Sequence, residues 1–275
     1  MNKLVPISAL ILTTILISGC INVFKTADLR PNGKNPISNK EKAQQLLDEM
    51  GVAHGIAYWD SMKTYTITFG DEFHGFFGKQ AHPFKEQNMT FSLNYIPKTF
   101  NGSMEIISGK EKGKLRGIQE WKTYQKEDDG RIAEKKDKDM KFWIPTYQYF
   151  IELPSRIQEA TSIDYLGEKM VNGVKTEGVI ASWNTIEPQK DFDQYLIWID
   201  AESKRIVKVE YTVRDYYRFI SGAASYNNYK DYDGLILPSE MPVESNLVKD
   251  GLLHTMSIQD FTADLIPADS LLPLK

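Results

Sequence analysis

Past residue 63 the chain alternates. Tyr65, Ile67 and Phe69 are interleaved with Thr64, Thr66 and Thr68, and Met89, Phe91, Leu93 and Tyr95 with Thr90, Ser92 and Asn94. A period of two puts one set of side chains on each face of a strand, so these runs predict strands with one apolar face. Further strands are expected near 103–108, 115–124, 163–170, 174–183, 195–200, 206–213, 223–230, 235–241 and 252–262. Asn172-Gly173 is the strongest hairpin signal, because both turn residues must take positive φ. In the 206–213 run, Val207, Val209, Tyr211 and Val213 share one face, and Lys208, Glu210 and Thr212 the other. Two segments carry a helical period instead. Ser38 and Glu41 read as a capping box ahead of Ala43, Leu46, Leu47 and Met50, with Gly51 a stop or weak point. After the break at Gly55 comes a short helical piece around Ile56–Trp59. From Phe142 to Leu153, Trp143, Tyr147, Phe150 and Ile151 share a face, and Pro145 is compatible only with a helix start. Many strands with few helices predict an α+β fold: a curved antiparallel β-sheet with helices packed on its concave face.

The N-terminus constrains location rather than fold. Lys3 precedes an uncharged apolar run, Leu4 to Ile17, followed by Ser18, Gly19 and Cys20. The run is too short for a permanent span, which needs about 20 apolar residues, and has the plan of a secretory leader. Ile17-Ser18-Gly19-Cys20 resembles the lipobox of bacterial lipoproteins, where small residues admit the backbone to a peptidase and the thiol is alkylated by a diacylglycerol group. Cys20 is the only cysteine, which excludes an intramolecular disulfide. The expected division is residues 1–19 as signal peptide, cleaved between Gly19 and Cys20; 20–40 as lipidated Cys20 and flexible tether; and 41–275 as a single domain. Two or more acyl chains hold a protein stably where one is marginal, each buried CH₂ contributing about 0.8 kcal/mol. Ile21 stands where, in many Gram-negative bacteria, an aspartate would retain the protein at the inner membrane. An outer-membrane anchor with a periplasm-facing domain is therefore expected.

Composition is that of an ordinary globular chain: 33 Lys+Arg against 37 Asp+Glu over 275 residues, 41% hydrophobic. The net charge of -4 offers no concentrated basic face for nucleic acid. Motifs of chemistry are missing: no HExxH, cysteine cluster, Gly-x-Ser-x-Gly elbow or phosphate-binding glycine loop occurs. Asp71, His74 and His82 lie close in sequence, but a mobile or packed loop explains the Phe- and Gly-rich segment 73–84 better than a metal site. Asp231-Tyr-Asp233-Gly234 reads as a turn rather than a calcium loop. The charged stretch 126–139 reads as a solvated hairpin end. A non-enzymatic protein without metal or cofactor is expected.

The order of short motifs carries a resemblance. A helix ends near His54-Gly55 and Trp59 precedes the first strand. Phe150-Ile-Glu-Leu-Pro154, Tyr165-Leu-Gly167-Glu168 with Val171-Asn-Gly173, and Tyr195-Leu-Ile-Trp198-Ile-Asp200 follow. Tyr229-Lys-Asp231-Tyr-Asp233-Gly234 and Leu237-Pro238 come last. Spread over most of 41–275, these resemble the LolA-like periplasmic proteins, particularly outer-membrane lipoproteins of Bacteroidetes. The resemblance implies an incomplete β-barrel curled around helices and enclosing a lipophilic cavity. It implies binding of lipid or lipoprotein acyl chains, by a fixed holder, receiver or sensor since this chain is anchored. Alternation nominates Ile67, Phe69, Phe91, Leu93, Ile197, Val209 and Tyr211 as inward-facing, with Phe142, Trp143, Tyr147 and Phe150 from the covering helix. Such side chains line apolar pockets and fill cores alike. An envelope interaction module with a filled core and a protein partner is therefore the alternative, and a hydrolase a third. Cys20→Ser should abolish incorporation of radiolabelled palmitate into the chain; undiminished labelling would refute the anchor.

Overall fold

The computed structural model describes residues 24–29, 38–214, 220–248 and 251–274; the leader, Gly19 and Cys20 lie outside the described residues. In chain order the elements begin with α1 (Thr26–Leu29), α2 (Lys40–Ala53), a 3₁₀ turn (Ile56–Ser61), β1 (Tyr65–Phe73) and α3 (Gly75–Ala81). Next come β2 (Asn88–Tyr95), β3 (Gly102–Ile106), β4 (Leu115–Gln119), β5 (Lys122–Lys126) and β6 (Ile132–Glu134). Helices α4 (Lys138–Ile151) and α5 (Leu153–Arg156) then cross to β7 (Ser162–Val171), β8 (Val174–Ser182), β9 (Tyr195–Asp200) and β10 (Ile206–Val213). β11 (Ile220–Ser225), β12 (Asn227–Tyr232), β13 (Leu235–Ser245) and β14 (Leu252–Ala263) complete a 14-stranded sheet of order β6-β5-β4-β3-β2-β1-β14-β13-β11-β10-β9-β8-β7, with β12 beside β13. β6 and β7 end the main path without pairing to each other, so among the described residues the sheet is open. The strand pairs are antiparallel, and β1 lies against β14, joining an N-terminal meander to a C-terminal one.

The alternation works as the sequence suggests. Across β1–β2–β3, Ile67 faces Leu93 and Leu93 faces Met104, while Phe69 faces Phe91 and Phe91 faces Ile106. These inward residues join Val179, Ile197, Val209, Met241 and Met256 in one core with Leu46, Leu47 and Met50 of α2 and Ile144, Tyr147 and Ile151 of α4. The helices thus cover one face of the sheet. On the opposite face a smaller cluster, Leu166, Val171, Ile180, Leu196 and Trp198, packs with Phe24, Leu29, Ile186 and Val207. Residues 24–29, expected within the tether, are therefore held against the sheet.

Several local expectations change. Asn39, not Ser38, caps α2, accepting the Lys42 N–H at 3.0 Å, and the helix runs through Gly51 to Ala53. α4 starts at Lys138, because Asp137 accepts the Asp139 and Met140 N–H groups, and this leaves Pro145 inside the helix. The run 115–124 is two strands, turned at Glu120 and Trp121 (φ 49° and 64°), and 223–230 is broken at Tyr226 between β11 and β12. A register shift between Ile206 and Lys208 moves Val207 to the outer cluster and brings Ile206 inward with Val209. Segment 73–84 contains α3.

His54 ties the end of α2 to two strands. Its Nδ1 lies 3.1 Å from the Ile236 carbonyl, and its Nε2 accepts the Ile206 N–H at 3.1 Å, fixing the neutral tautomer with hydrogen on Nδ1. Gly55 beside it needs φ +66°, and a Cβ there would lie 1.8 Å from the Gly234 oxygen. Burial lowers the His54 pKa to about 4, the Ile236 hydrogen bond opposing and Arg205 adding to the shift. Between about pH 6.5 and 4 the unfolded chain therefore binds a proton that the folded chain refuses. This contribution, about 3 kcal/mol, is full above pH 6.5 and lost as pH falls toward 4. Urea midpoints at pH 7 and 4.5 should show His54→Gln trailing the natural chain at pH 7 and closing much of that gap at pH 4.5. An unchanged gap would show that His54 is not the group titrating.

Candidate functional site beneath helix α4

α4 forms because Asp137 caps its start and Met140, Ile144, Tyr147 and Ile151 recur at helical spacing on one buried face. That face lies on the inner sheet. Tyr147 packs on Phe69 with ring centres 4.8 Å apart and on Trp143 at 5.4 Å, while Phe91 lies 6.2 Å away. Phe84 closes over Phe91 at 5.7 Å. Farther along the helix, Phe150 meets Tyr211 edge-on at 5.0 Å.

The nominated residues are thus gathered into one core. Ile67, Phe69, Phe91, Leu93, Tyr147, Phe150, Ile197 and Val209 are buried in it, and Trp143 and Tyr211 pack against it. Phe142 differs: it is half-buried, edge-on to Trp143 at 5.3 Å, and stands outside the cluster. One residue before Trp143 is a rotation of about 100° around the helix, which takes the ring to the flank. In this conformation the rings occupy the space between helix and sheet themselves.

Polar groups fasten α4 to the floor. The Tyr95 hydroxyl donates to the Ile144 carbonyl at 2.8 Å, and the Tyr226 hydroxyl to that of Phe150 at 2.9 Å. The Tyr147 hydroxyl donates to Asp71 Oδ2 at 2.6 Å, and Asp71 Oδ1 lies 2.7 Å from His254 Nδ1. At the helix C-terminus the buried Glu152 accepts from Tyr65 (2.7 Å), Gln148 (2.8 Å) and the Lys98 N–H (3.0 Å), and pairs with Arg156 at 2.9 Å. Burial raises the Glu152 pKa even so, with Arg156, Gln148, Tyr65 and Lys98 pulling it back. Burial likewise holds the Tyr65, Tyr95, Tyr147 and Tyr226 hydroxyls well above their usual range. Each therefore stays a donor at any physiological pH.

This polar network was not nominated from sequence. Its signal is parity: Asp71 continues the inward series Tyr65, Ile67, Phe69, and His254 the series ending in Met256 and Ile258. The pair is shielded rather than set in a cleft, with Phe73 stacked on His254 at 4.5 Å and Trp143 edge-on at 5.8 Å. His82 approaches the other side of Phe73 at 4.7 Å, its Nδ1 accepting the Phe84 N–H. Burial lowers the His82 pKa to about 4. His74 points elsewhere, to Thr255 at 2.9 Å, so Asp71, His74 and His82 are not brought together. Among the described residues no group of three or more His, Cys, Asp or Glu is arranged to hold a metal ion. At Asp231–Gly234 the Asp231 carboxylate accepts the Gly234 N–H at 2.7 Å, a turn contact.

Among solved structures the chain is similar to a domain assigned to an outer membrane lipoprotein-sorting protein from Vibrio parahaemolyticus (TM-score 0.56, 12% identity, 85% of this chain and 97% of that one). It is also similar to a LolA superfamily protein from Nitrosomonas europaea (0.52, 10%, 86% and 98%) and a DUF1329 family protein from Desulfovibrio piger (0.54, 11%, 85% and 97%). At such identities the likeness is one of fold: the chain has a LolA-like fold, an open antiparallel sheet with a few helices. No family model and no curated protein matches its sequence.

Removing the Tyr147 hydroxyl should leave Asp71 short of a donor in a dry site. Tyr147→Phe is expected to cost about 1–3 kcal/mol in urea unfolding, and a change under about 0.5 kcal/mol would show the hydroxyl to be dispensable.

Proposed function

We propose that the chain is a membrane-anchored envelope lipoprotein, lipidated on Cys20, whose single domain takes up a lipid or a protein's acyl chain beneath α4 without acting on it chemically. The observation that carries this reading is how the cover is attached. The inner face is apolar from Ile118 on β4 round to Val179 on β8, and α4 meets it through side-chain packing and hydrogen bonds made by side chains, with no backbone ladder among the described residues. A helix joined in that way lifts without breaking a ladder, whereas the floor is continuous sheet. Lifting exposes Ile67, Phe69, Phe91, Leu93, Trp143 and Tyr147 on one side and Phe150, Ile197, Val209 and Tyr211 on the other. An acyl chain there replaces ring contacts with methylene contacts at about 25 cal/mol per Å² of apolar surface. The proteins of like fold support the same class of ligand, since one is assigned to lipoprotein sorting. Lipid on Cys20, with Ile21 after it, puts the domain at the periplasmic side of the outer membrane.

The packed core favours a second reading, an envelope module that binds a protein partner on its outside. Phe76 and Trp121 are exposed apolar side chains suited to that role. Native mass spectrometry of residues 21–275, exported behind a cleavable leader, separates the two. Co-purifying lipid or acylated peptide, released on unfolding, is the expected result. A bare chain that takes up neither added phospholipid nor acylated peptide would replace the first reading with the second.

A further inference from the structure

The geometry points to one end of the sheet, formed by residues 183–194, 245–248 and 251–252, as the surface that lies against the lipid bilayer. This rests on lipidation of Cys20 as proposed above. The starting observation is how residue 24 is held. The Phe24 N–H donates to Gln194 Oε1 at 2.9 Å, and Gln194 Nε2 donates to the Phe24 carbonyl at 2.9 Å. Gln194 is itself buried and fixed, its N–H donating to Thr212 Oγ1 at 3.0 Å and its Nε2 also to the Ile186 carbonyl at 2.7 Å. Phe24 packs on the outer cluster and lines a shallow groove of about 320 Å³ with Asn246, Val248 and Gly251 of the β13–β14 connection. The chain is therefore pinned to the domain at this end of β9, β10, β11 and β13.

Phe24 is only four residues beyond Cys20. Fully extended they reach about 14 Å, so a lipidated Cys20 brings the Phe24 dock at least that close to the headgroups. Side chains around the dock suit that neighbour. Phe192, Leu247 and Leu252 are 44%, 54% and 38% exposed, apolar groups that a bilayer interface accepts more readily than water. At the other end of the same strands the turn contains Asp200, Glu202, Ser203 and Lys204. The six residues of β9, about 20 Å of strand, put Glu202 away from the dock. The two ends thus differ in their distance from the anchor, while both carry charged side chains.

The test uses the full chain, lipidated in vivo and reconstituted into phosphatidylethanolamine–phosphatidylglycerol vesicles. Acylated Cys20 has no free thiol, so Leu247→Cys, Phe192→Cys and Glu202→Cys each supply a single site for an environment-sensitive fluorophore. With spin-labelled lipids in the vesicles, fluorescence at positions 247 and 192 should be quenched at least twofold more than at 202. Equal quenching at the three positions, or more at 202, would overturn the orientation when the protein floats with the vesicles and its mass includes the acylated cysteine. If the intact mass shows no acyl group, the anchor fails and the orientation fails with it, an outcome distinct from the first.

Discussion

The ladder between β1 and β14 is the contact on which the other layers depend. It joins the first long strand to the last, from Tyr65 opposite Ala263 to Phe73 opposite His254, with one register shift near Thr68. Without it the two meanders are separate sheets, each presenting an apolar face that the helices alone cannot cover. With it, the inner faces of both halves meet around α2, α4 and α5. The polar pair Asp71–His254 spans this same ladder, so the strand pairing also brings together the groups that hold Tyr147.

Above this floor the cover is held by a different kind of force. Aromatic packing supplies area, while hydroxyls of Tyr65, Tyr95, Tyr147 and Tyr226 supply direction. Each hydroxyl is buried with one partner, and a buried donor costs more unmade than it contributes when made. The arrangement therefore favours one seating of α4 over neighbouring ones. It also concentrates the loss, since displacing the helix exposes or strands several polar groups at once. On the proposed reading, a ligand entering there has to provide enough apolar contact to offset that loss, which suits a long flexible chain better than a compact one.

Much of the sheet was legible in the sequence because the physics is local. Alternation at Ile67, Phe69, Phe91 and Leu93 fixes a face without knowledge of any partner, and Asn172-Gly173 takes positive φ at both residues as its chemistry requires. What failed depended on contacts outside the local pattern. Val207 looked inward by parity, but a bulge whose cause lies in pairing with β9 turned it outward. Pro145 argued for a helix start, and the cap at Asp137 in a charged stretch overrode it. The site was legible as a list of inward side chains, yet whether they line a space or fill it depends on packing between distant elements. The partners of Asp71 and Glu152 were not legible, because His254 and Tyr65 lie 183 and 87 residues away.

The closing ladder also sets an order of events. Thr64 and Asp264, joined by a backbone-to-carboxylate hydrogen bond, are 200 residues apart. A chain made from its N-terminus thus delivers β1 long before β14 arrives. Until then the aromatic residues of β1 and β2 have no finished neighbour on one side, and the growing sheet keeps an open edge beside Phe69 and Tyr65. Synthesis of this fold therefore includes an interval in which β1, paired with β2 alone, keeps its other edge open. That edge closes only when the last strand of the sheet is made.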